Sequence, residues 1–288
     1  MPEPLVWLIT GTSSGLGRLL TLEALLRGDK VIATARTRSV CKLDELKRAG
    51  AAILELEVTA PLEELHVLAK KAVAIYGRVD VLVNNAGYFH VAALEEATPQ
   101  ETMEQFNTNI FGGLNMCRAF LPYMRPRRTG TVVWLGSIGG WISLPNGGLY
   151  AATKAATRSL SMTLNDELAP LGLRSMNFEF GYFRTDFLQP SQRSPYIPRI
   201  EDYKEVCGAA EAMYQAANGK QLGDPVKGIR VVVDFIRGEG VAKGKQVPTI
   251  VHLGSDTVES ITAACNDTLH RIDEWRDVFT STDFPKVV

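Results

Sequence analysis

Short runs of apolar residues alternate along most of the chain with longer segments in which apolar residues recur at helical spacing. The apolar runs predict seven β-strands, at residues 5–10, 30–35, 52–56, 79–83, 131–136, 173–178 and 249–253. The segments between them predict helices at about 15–27, 62–76, 102–124 and 148–168. Strands that are apolar throughout are typical of a parallel sheet with helices on both faces. The pattern therefore predicts an α/β fold, with a doubly wound parallel sheet of about seven strands in a single domain over residues 1–288.

The alternation of strands and helices stops between residues 185 and 223. This segment combines three prolines with four aromatic residues: Phe187, Pro190, Pro195, Tyr196, Pro198, Tyr203 and Tyr214. Because proline interrupts regular elements, the segment is expected to be loop with short helices. A lid over a substrate pocket and an irregular surface excursion both fit this composition, and we favour the lid.

Residues 255–288 carry a helical pattern toward the end of the chain. We expect a helical tail whose apolar residues pack on the body of the domain. These residues are Ile261, Ala264, Leu269, Ile272 and Trp275.

The overall charge of the chain argues against nucleic acid and anionic membranes as binding partners. Lys and Arg number 31 against 32 Asp and Glu, so the formal net charge is −1. Such a chain lacks the basic surface that nucleic acid or an anionic membrane requires. No apolar run approaches the length of a membrane span, and the N-terminus lacks the features of a signal peptide. We expect a cytoplasmic protein whose partner is a small molecule.

Cysteine and histidine give no sign of a metal or disulfide framework. The cysteines are scattered without any C-x-x-C pair: Cys41, Cys117, Cys207 and Cys265. The histidines are equally dispersed: His66, His90, His252 and His270. These spacings predict no metal site and reduced thiols.

A glycine-rich turn, TGTSSGLGR, follows the first predicted strand and leads directly into the first predicted helix. Its glycines are Gly11, Gly15 and Gly17. Without a β-carbon, such residues adopt positive φ and let the main chain approach a pyrophosphate. The N-terminus of the following helix then offers N–H groups and the positive end of its dipole to the phosphates. The turn therefore predicts a dinucleotide site in a Rossmann-type fold.

The end of the second predicted strand indicates which dinucleotide binds. An acidic residue there would accept a hydrogen bond from the ribose 2′-hydroxyl of NAD(H). The sequence instead has Ala35, followed by Arg36 and Arg38, and a guanidinium suits the 2′-phosphate of NADP(H). We expect Arg36 to bind that phosphate, with a further hydroxyl from Ser13 or Ser14.

Tyr150 and Lys154 lie four residues apart in a predicted helix that is otherwise rich in small side chains. This spacing puts the phenol and the ammonium on one face, although such a pair also arises by chance. A free phenol, with a pKa near 10, is a poor proton donor and acceptor at neutral pH. An ammonium about 4 Å away would lower that pKa by roughly three units. We therefore expect a phenol tuned for proton exchange.

Five motifs occur together and in order: TGTSSGLG at 10–17, NNAG at 84–87, Asn109 in NTNIFGG, Ser137 in LGSIGG, and Tyr150-x-x-x-Lys154. With this set the chain resembles the short-chain dehydrogenase/reductase family over about residues 5–260, in its single-domain, NADP(H)-dependent branch. The stretch PTIVHLGSDTVESI resembles the 17β-hydroxysteroid-dehydrogenase-like subgroup. The resemblance also implies a homodimer or homotetramer that forms through the helices carrying Asn109 and Tyr150.

The resemblance implies a catalytic tetrad of Asn109, Ser137, Tyr150 and Lys154. In that arrangement Tyr150 exchanges the proton, Ser137 hydrogen-bonds the substrate oxygen, and Asn109 anchors a water beside Lys154. The expected cofactor contacts are Gly11, Ser13, Ser14, Gly15, Leu16, Gly17, Arg36, Glu57, Val58, Asn85, Ala86, Gly87, Tyr150, Lys154, Gly181 and Thr185. Within that set Asn85 is expected to bind or to stabilise the sheet, and Thr185 to contact the nicotinamide carboxamide.

One position departs from the family pattern, because Phe180 precedes Gly181 where proline is usual. The change frees φ and adds a backbone N–H next to the expected nicotinamide position and substrate wall. The candidate substrate contacts are Ser137, Ile138, Trp141, Leu144, Tyr182, Phe183 and Phe187. So apolar a set predicts a bulky hydrophobic or aromatic carbonyl compound, although core packing would also account for about half of these residues.

These features predict reduction of a ketone by NADPH, with hydride transfer to carbon and Tyr150 as general acid. One alternative is NAD(P)-dependent alcohol oxidation, or another nicotinamide chemistry, on the same fold. A second alternative is a non-catalytic dinucleotide-sensing or interaction module. Such a module would normally have lost Tyr150 or Lys154, and both are present.

Overall fold

Seven strands form one parallel sheet in this computed structural model, which describes residues 3–190 and 192–284. The strands are β1 (Val6–Ile9), β2 (Lys30–Ala35), β3 (Ala52–Glu55), β4 (Val81–Asn84), β5 (Thr131–Ser137), β6 (Arg174–Phe180) and β7 (Ile250–Leu253). Their order across the sheet is β3-β2-β1-β4-β5-β6-β7. The order reverses between β1 and β4, and ligands of such sheets bind in the crevice beyond the carboxyl ends of the strands there. The predicted seven-stranded parallel sheet is confirmed.

Ten α-helices accompany the sheet in the described part of the chain. They are α1 (Gly15–Leu26), α2 (Thr37–Val40), α3 (Asp44–Arg48), α4 (Leu62–Tyr76), α5 (Pro99–Phe106), α6 (Gly112–Met124), α7 (Gly148–Leu168), α8 (Lys204–Ala217), α9 (Pro225–Arg237) and α10 (Ser255–Thr280). None of these helices combines the length and the apolar character that crossing a bilayer demands.

The side chains of each strand alternate between two apolar cores, one on each face of the sheet. Trp7 and Ile9 of β1 join the core that α1 and α9 cover. Val6 and Leu8, the residues between them, join the core that α4, α6 and α7 cover. The helices predicted on both faces of the sheet are therefore confirmed, and the side chains on both faces of β1 are buried.

The helix predicted at 102–124 is found as α5 and α6, joined by a π turn at Asn107–Phe111. It begins at Pro99 because Thr98 and Glu101 form a capping box. The pattern analysis missed α9, although its end signals are clear. Asp224 accepts hydrogen bonds from the N–H groups of Val226 and Lys227, at 2.9 and 3.2 Å, and the helix ends before Gly238 at φ +66°.

The C-terminal tail is helical as predicted, but its expected packing is wrong for three of the five residues. Thr257 and Ile261 are buried and Ala264 is half-buried, whereas Leu269, Ile272 and Trp275 are exposed. The reason is length: α10 has 26 residues and so extends about 39 Å, whereas the edge strand β7 has four. The helix leaves the body after its first turns. Residues 285–288 of the predicted tail lie outside the described part.

Candidate active site

The glycine turn after β1 has the backbone conformation that its sequence predicts. Gly11 and Gly15 lie at φ +69° and +57°, where a side chain would be strained. The Asn85 side chain donates to the carbonyl oxygens of Thr10, at 2.7 Å, and Gly11, at 3.0 Å. A Cβ on Gly17 would overlap that amide and lie 2.8 Å from the Gly11 oxygen. Asn85 therefore holds the turn from the neighbouring strand, and Gly17 makes room for it.

The N-terminus of α1 is open to an anion. Ser14 occupies the cap position with extended backbone, yet its side chain makes no capping hydrogen bond. The first turn also contains no acidic residue. The N–H groups of this turn are thus left to a ligand. Four other members of the turn line a cleft of about 320 Å³ with Ser14: Gly11, Ser13, Gly15 and Leu16.

The cleft continues along the ends of β2, β3 and β4. Of the predicted cofactor contacts, it is lined here by Arg36, Glu57, Val58, Asn85, Ala86 and Gly87. Arg36 is exposed and forms no ion pair with any residue that the structure describes. Ser39, which the sequence analysis missed, also lines this end. Gly17 stands behind the turn rather than on the cleft surface.

Ser137, Tyr150 and Lys154 meet at the middle of the cleft. Ser137 is the last residue of β5, and its Oγ accepts a hydrogen bond of 3.1 Å from the N–H of Gly139. The Lys154 Nζ lies 5.4 Å from the centre of the Tyr150 ring and donates to the carbonyl oxygen of Leu135, at 2.6 Å. The strand end and the first two turns of α7 thus bring a hydroxyl, a phenol and an ammonium into one cavity.

Burial is the largest influence on the pKa values of both Tyr150 and Lys154. It raises the pKa of the Tyr150 phenol to about 12, and the nearby Ser137 hydroxyl only partly opposes the rise. It lowers the pKa of the Lys154 ammonium to about 8. The lowered phenol pKa expected from the sequence is therefore wrong for the chain alone, because that expectation counted the charge of Lys154 and not the desolvation of the phenol. Near pH 7 both groups carry their protons.

Asn109 is set back from the main cleft, in the π turn between α5 and α6. Its side chain is held by three hydrogen bonds: Nδ2 donates to the Tyr88 carbonyl oxygen and to Thr153 Oγ1, at 3.1 and 3.2 Å, and Oδ1 accepts from the Tyr88 N–H at 3.1 Å. A small cavity of about 10 Å³ lies between Asn109 and Lys154. Its volume is about that of a single water. π turns often occur at functional sites, where they change the local backbone hydrogen bonding.

The other end of the cleft is apolar. Ile138, Leu144, Tyr182, Phe183 and Phe187 line it with Ser137, as predicted for the substrate contacts. Trp141 is placed elsewhere: its indole N–H donates to Glu179 Oε2 at 2.7 Å, and the Arg158 guanidinium lies 3.9 Å from its ring centre. A buried carboxylate thus turns this ring away from the cleft.

An aromatic cluster surrounds Tyr150, and its central member was missed. The ring of Phe89 lies 5.2 Å from Tyr150, 6.0 Å from Phe187 and 5.4 Å from Tyr214, measured between centres. Phe89 follows β4 by a few residues, and this position beyond a strand end was the signal that could have identified it. Further lining residues that were not predicted include Tyr88, Leu188, Gln192 and Gln221, whereas Tyr214 was among the aromatic residues expected from the lid segment.

The segment predicted as a lid is fastened over this end by polar contacts. The Arg193 guanidinium donates twice to Glu211 on α8, at 2.6 and 2.5 Å, and once to the Leu188 carbonyl oxygen, at 3.1 Å. The Tyr214 hydroxyl donates to the Pro145 carbonyl oxygen at 2.7 Å. These bonds tie Arg193 to α8 and Tyr214 to the main chain before α7.

Phe180, which stands where the family pattern has proline, is the last residue of β6. It pairs with Leu253 of β7 and packs edge-on against Phe183, 4.9 Å between ring centres. The next N–H, of Gly181, donates to the Leu253 carbonyl oxygen at 2.9 Å. A Cβ on Gly181 would overlap the Asp256 carboxylate, so this glycine is required sterically. Gly181 and Thr185 still line the cleft.

Comparison with known proteins agrees with the fold. A family model described as short chain dehydrogenase matches residues 5–195, and the chain belongs to this family. An oxidoreductase of Botryotinia fuckeliana, BOA17, is 31% identical over 278 residues, which are 95% of this chain and 97% of the relative. A short-chain dehydrogenase from Streptomyces avermitilis has a TM-score of 0.85 and 36% identity, and the match covers 98% of this chain and 100% of that one. The protein is thus an oxidoreductase, a dehydrogenase or reductase.

Structural neighbours with bound cofactor contain either nicotinamide dinucleotide. A serine dehydrogenase complexed with NADP⁺ is 27% identical, with a TM-score of 0.70 over 86% of this chain and 94% of that one. A short-chain dehydrogenase/reductase from Burkholderia phymatum, complexed with NAD, has a TM-score of 0.76 over 99% of both chains. At 21% identity the second likeness concerns the fold alone.

Proposed function

We propose that the protein reduces the carbonyl group of a bulky hydrophobic or aromatic compound with NADPH. One observation carries the proposal: Tyr150 keeps its proton in a cleft that joins the glycine turn to an aromatic pocket. The phenol hydroxyl and the Ser137 hydroxyl would both donate to the carbonyl oxygen. They would thereby polarise the carbonyl and hold it beside the nicotinamide.

The residues of the nucleotide end fit NADPH. The glycine turn and the uncapped N-terminus of α1 would bind the pyrophosphate. Arg36, with its unpaired charge, would bind the 2′-phosphate, and Thr185 would bind the carboxamide. When bound, NADPH supplies a hydride to the carbonyl carbon. Gly181, which leaves no room for a side chain against Asp256, would let the main chain approach the nicotinamide.

Lys154 would restore the proton that Tyr150 gives up. Transfer from the phenol to the alkoxide leaves a phenolate beside the ammonium. Because burial lowers the pKa of Lys154 to about 8, its proton is readily given at neutral pH. The cavity beside Asn109 would admit a water that returns a proton to Lys154. The raised phenol pKa favours reduction over alcohol oxidation, since oxidation would require Tyr150 as a base.

We further propose that the protein is a homo-oligomer that forms through α5 and α7. Met103 on α5, Phe111 in the π turn and Met162 on α7 are large apolar side chains that stay exposed in one chain. Burial of such side chains stabilises association. Light scattering of the wild type and of Met162→Glu tests this proposal. A wild type that is monomeric at micromolar concentration would contradict it.

The test of the proposed activity is NADPH consumption with a panel of aromatic and alicyclic ketones. The expected result is turnover of bulky apolar ketones, with NADPH preferred to NADH. Tyr150→Phe serves as the control for uncatalysed oxidation. If no ketone is reduced while a matching alcohol is oxidised with NAD⁺, the alternative dehydrogenase function replaces this proposal.

A further inference from the structure

Gln221 is a buried side chain whose amide has no hydrogen-bond partner among the residues that the structure describes. It follows α8, is 4% exposed, and lines the cleft. Neither its Oε1 nor its Nε2 makes a hydrogen bond within the described part of the chain. Its main chain is fixed, because the carbonyl oxygen accepts from the Arg184 guanidinium at 3.2 and 3.0 Å. The buried amide therefore leaves a donor and an acceptor unsatisfied at the border of the cleft, within the part of the chain that the structure describes.

Two other polar side chains of this segment, Arg193 and Tyr214, are satisfied, whereas the Tyr196 hydroxyl, like the Gln221 amide, makes no hydrogen bond within the described part of the chain. All the bonds of Arg193 are to Glu211 and Leu188, and the Tyr214 hydroxyl is bonded to Pro145. An unpaired amide in an apolar pocket is unfavourable, and native proteins rarely retain one without a partner. A ligand group that both donates and accepts would remove this cost.

The position of Gln221 points to the substrate rather than the nucleotide. The main chain at Gln221 is bonded to the residues that follow β6: its carbonyl oxygen accepts from Arg184, and the Gly223 N–H donates to the carbonyl oxygen of Tyr182, a residue of the apolar end, at 3.0 Å. The phosphate site lies at the opposite end of the cleft, at the start of α1. Gln221 thus belongs to the pocket that the lid segment closes.

We infer that Gln221 binds a second polar group of the substrate, so that the substrate class is an apolar ketone with a hydroxyl or similar hydrogen-bonding group on the part that reaches the lid. The inference rests on the proposed function. The aromatic side chains would pack against the apolar skeleton of the substrate. Tyr150 and Ser137 would hydrogen-bond its reacting carbonyl, and the Gln221 amide would hydrogen-bond its distal polar group. A buried amide of this kind discriminates strongly against a ligand that lacks the matching group.

The experiment compares ketones that differ only in a distal hydroxyl. The pairs are 2-tetralone with 6-hydroxy-2-tetralone, and 4-phenyl-2-butanone with 4-(4-hydroxyphenyl)-2-butanone. We expect the wild type to prefer the hydroxylated member by at least about tenfold in kcat/KM, through KM, because the contact is present in both ground and transition states. In Gln221→Met this preference should vanish, because the KM of the hydroxylated ketone should rise to that of its deoxy partner.

Gln215→Met is the matched control, since Gln215 is an exposed glutamine on α8. It should retain the preference. Equal rates for both members in the wild type, or a preference that survives in Gln221→Met, would overturn the inference. An increase in the KM of NADPH alone would assign Gln221 to the cofactor and overturn it as well.

Binding separates this inference from the proposed function. If no ketone is reduced, the proposed activity fails, and thermal shifts of the NADPH-loaded protein then decide. The hydroxylated member should raise the Tm of the wild type more than its partner and lose this advantage in Gln221→Met, and no difference in either pair would overturn the inference.

Without ligand, Gln221→Met should melt about 2 °C above the wild type, because an unpaired buried amide is removed. A lower Tm would show that the amide has a structural partner.

Discussion

The two ends of the cleft are built in different ways. The nucleotide end is shaped by main chain: Gly11 and Gly15 at positive φ, an uncapped helix terminus, and Asn85 bonded to two carbonyl oxygens. All of these except Asn85 lie within one short stretch of sequence. The recognition of a phosphate by N–H groups needs space more than particular side chains. One local motif therefore describes this end.

The substrate end is shaped by side chains from distant parts of the chain. Phe89, Tyr150, Phe187 and Tyr214 come from four separate segments and meet around one ring. The proposed chemistry and cofactor site therefore depend on local motifs of the fold, whereas the proposed choice of substrate depends on Phe89, Phe187, Tyr214 and Gln221, which are spread over residues 89–221 of the sequence.

Tyr150→Phe should have the largest effect of the substitutions considered, and it should affect catalysis while leaving cofactor binding at the nucleotide end nearly unchanged. Removing the phenolic proton should lower kcat by about 10³-fold, whereas the dissociation constant of NADPH should change less than about twofold, because the glycine turn is untouched. Stopped-flow hydride transfer and fluorescence titration with NADPH measure the two effects. Retention of more than about a tenth of kcat would contradict the role of Tyr150 as proton donor.

Arg36→Ala should affect only the nucleotide end. Loss of a charge-assisted hydrogen bond to the 2′-phosphate should raise the KM of NADPH by about 10- to 100-fold and leave that of NADH nearly unchanged. Arg38→Ala, two positions further along, serves as the control. Equal losses with both cofactors would remove the phosphate assignment.

The pH dependence of kcat should report the catalytic pair. In the proposed mechanism the protonated form of Lys154 supplies the proton, and burial lowers the pKa of this ammonium to about 8. The rate of reduction should therefore be constant below about pH 8 and fall about tenfold per unit above it, whereas Tyr150, with its pKa near 12, stays protonated throughout. NADPH binding measured over the same range is the comparison. A profile that stays flat for two units above pH 8 would exclude Lys154 as the source.

Tyr214→Phe should give the smallest effect, confined to the lid segment. It removes the hydrogen bond to the Pro145 carbonyl oxygen, about 1 kcal/mol, and should lower the Tm by about 2 °C. The KM of a ketone should rise a few-fold, and the KM of NADPH should not change. Tyr203→Phe, whose hydroxyl bonds the exposed Glu95, is the control, and a similar rise in ketone KM there would mean that the effect is not specific to the pocket.

The sheet could be predicted because buried parallel strands are apolar on both faces. The predicted strand at 30–35 coincides with β2, and the other six overlap theirs. The end signals of α9, Asp224 and Gly238, were present in the sequence, so that helix could have been predicted as well.

Three errors have physical causes that no local pattern contains. Trp141 was expected in the pocket, but the buried Glu179 on the adjacent strand β6 attracts its N–H. Leu269 and Trp275 have the spacing of a packed helix face, and the pattern does not show where the body ends. The pKa of Tyr150 depends on desolvation by side chains such as Phe89, which come from elsewhere in the chain. The unpaired amide of Gln221 likewise becomes apparent only in three dimensions.

Because Asn85 is hydrogen-bonded to the glycine turn, nucleotide binding is coupled to a step of folding. Asn85 follows β4, and the turn follows β1, so the phosphate cradle exists only after two strands far apart in sequence have paired. A chain with its first βα unit formed, but without that pairing, would present an unsupported loop. The moment at which the protein first binds dinucleotide during refolding would therefore report when β1 and β4 pair. Excess dinucleotide would stabilise the native state by mass action and so shift the equilibrium away from late folding intermediates.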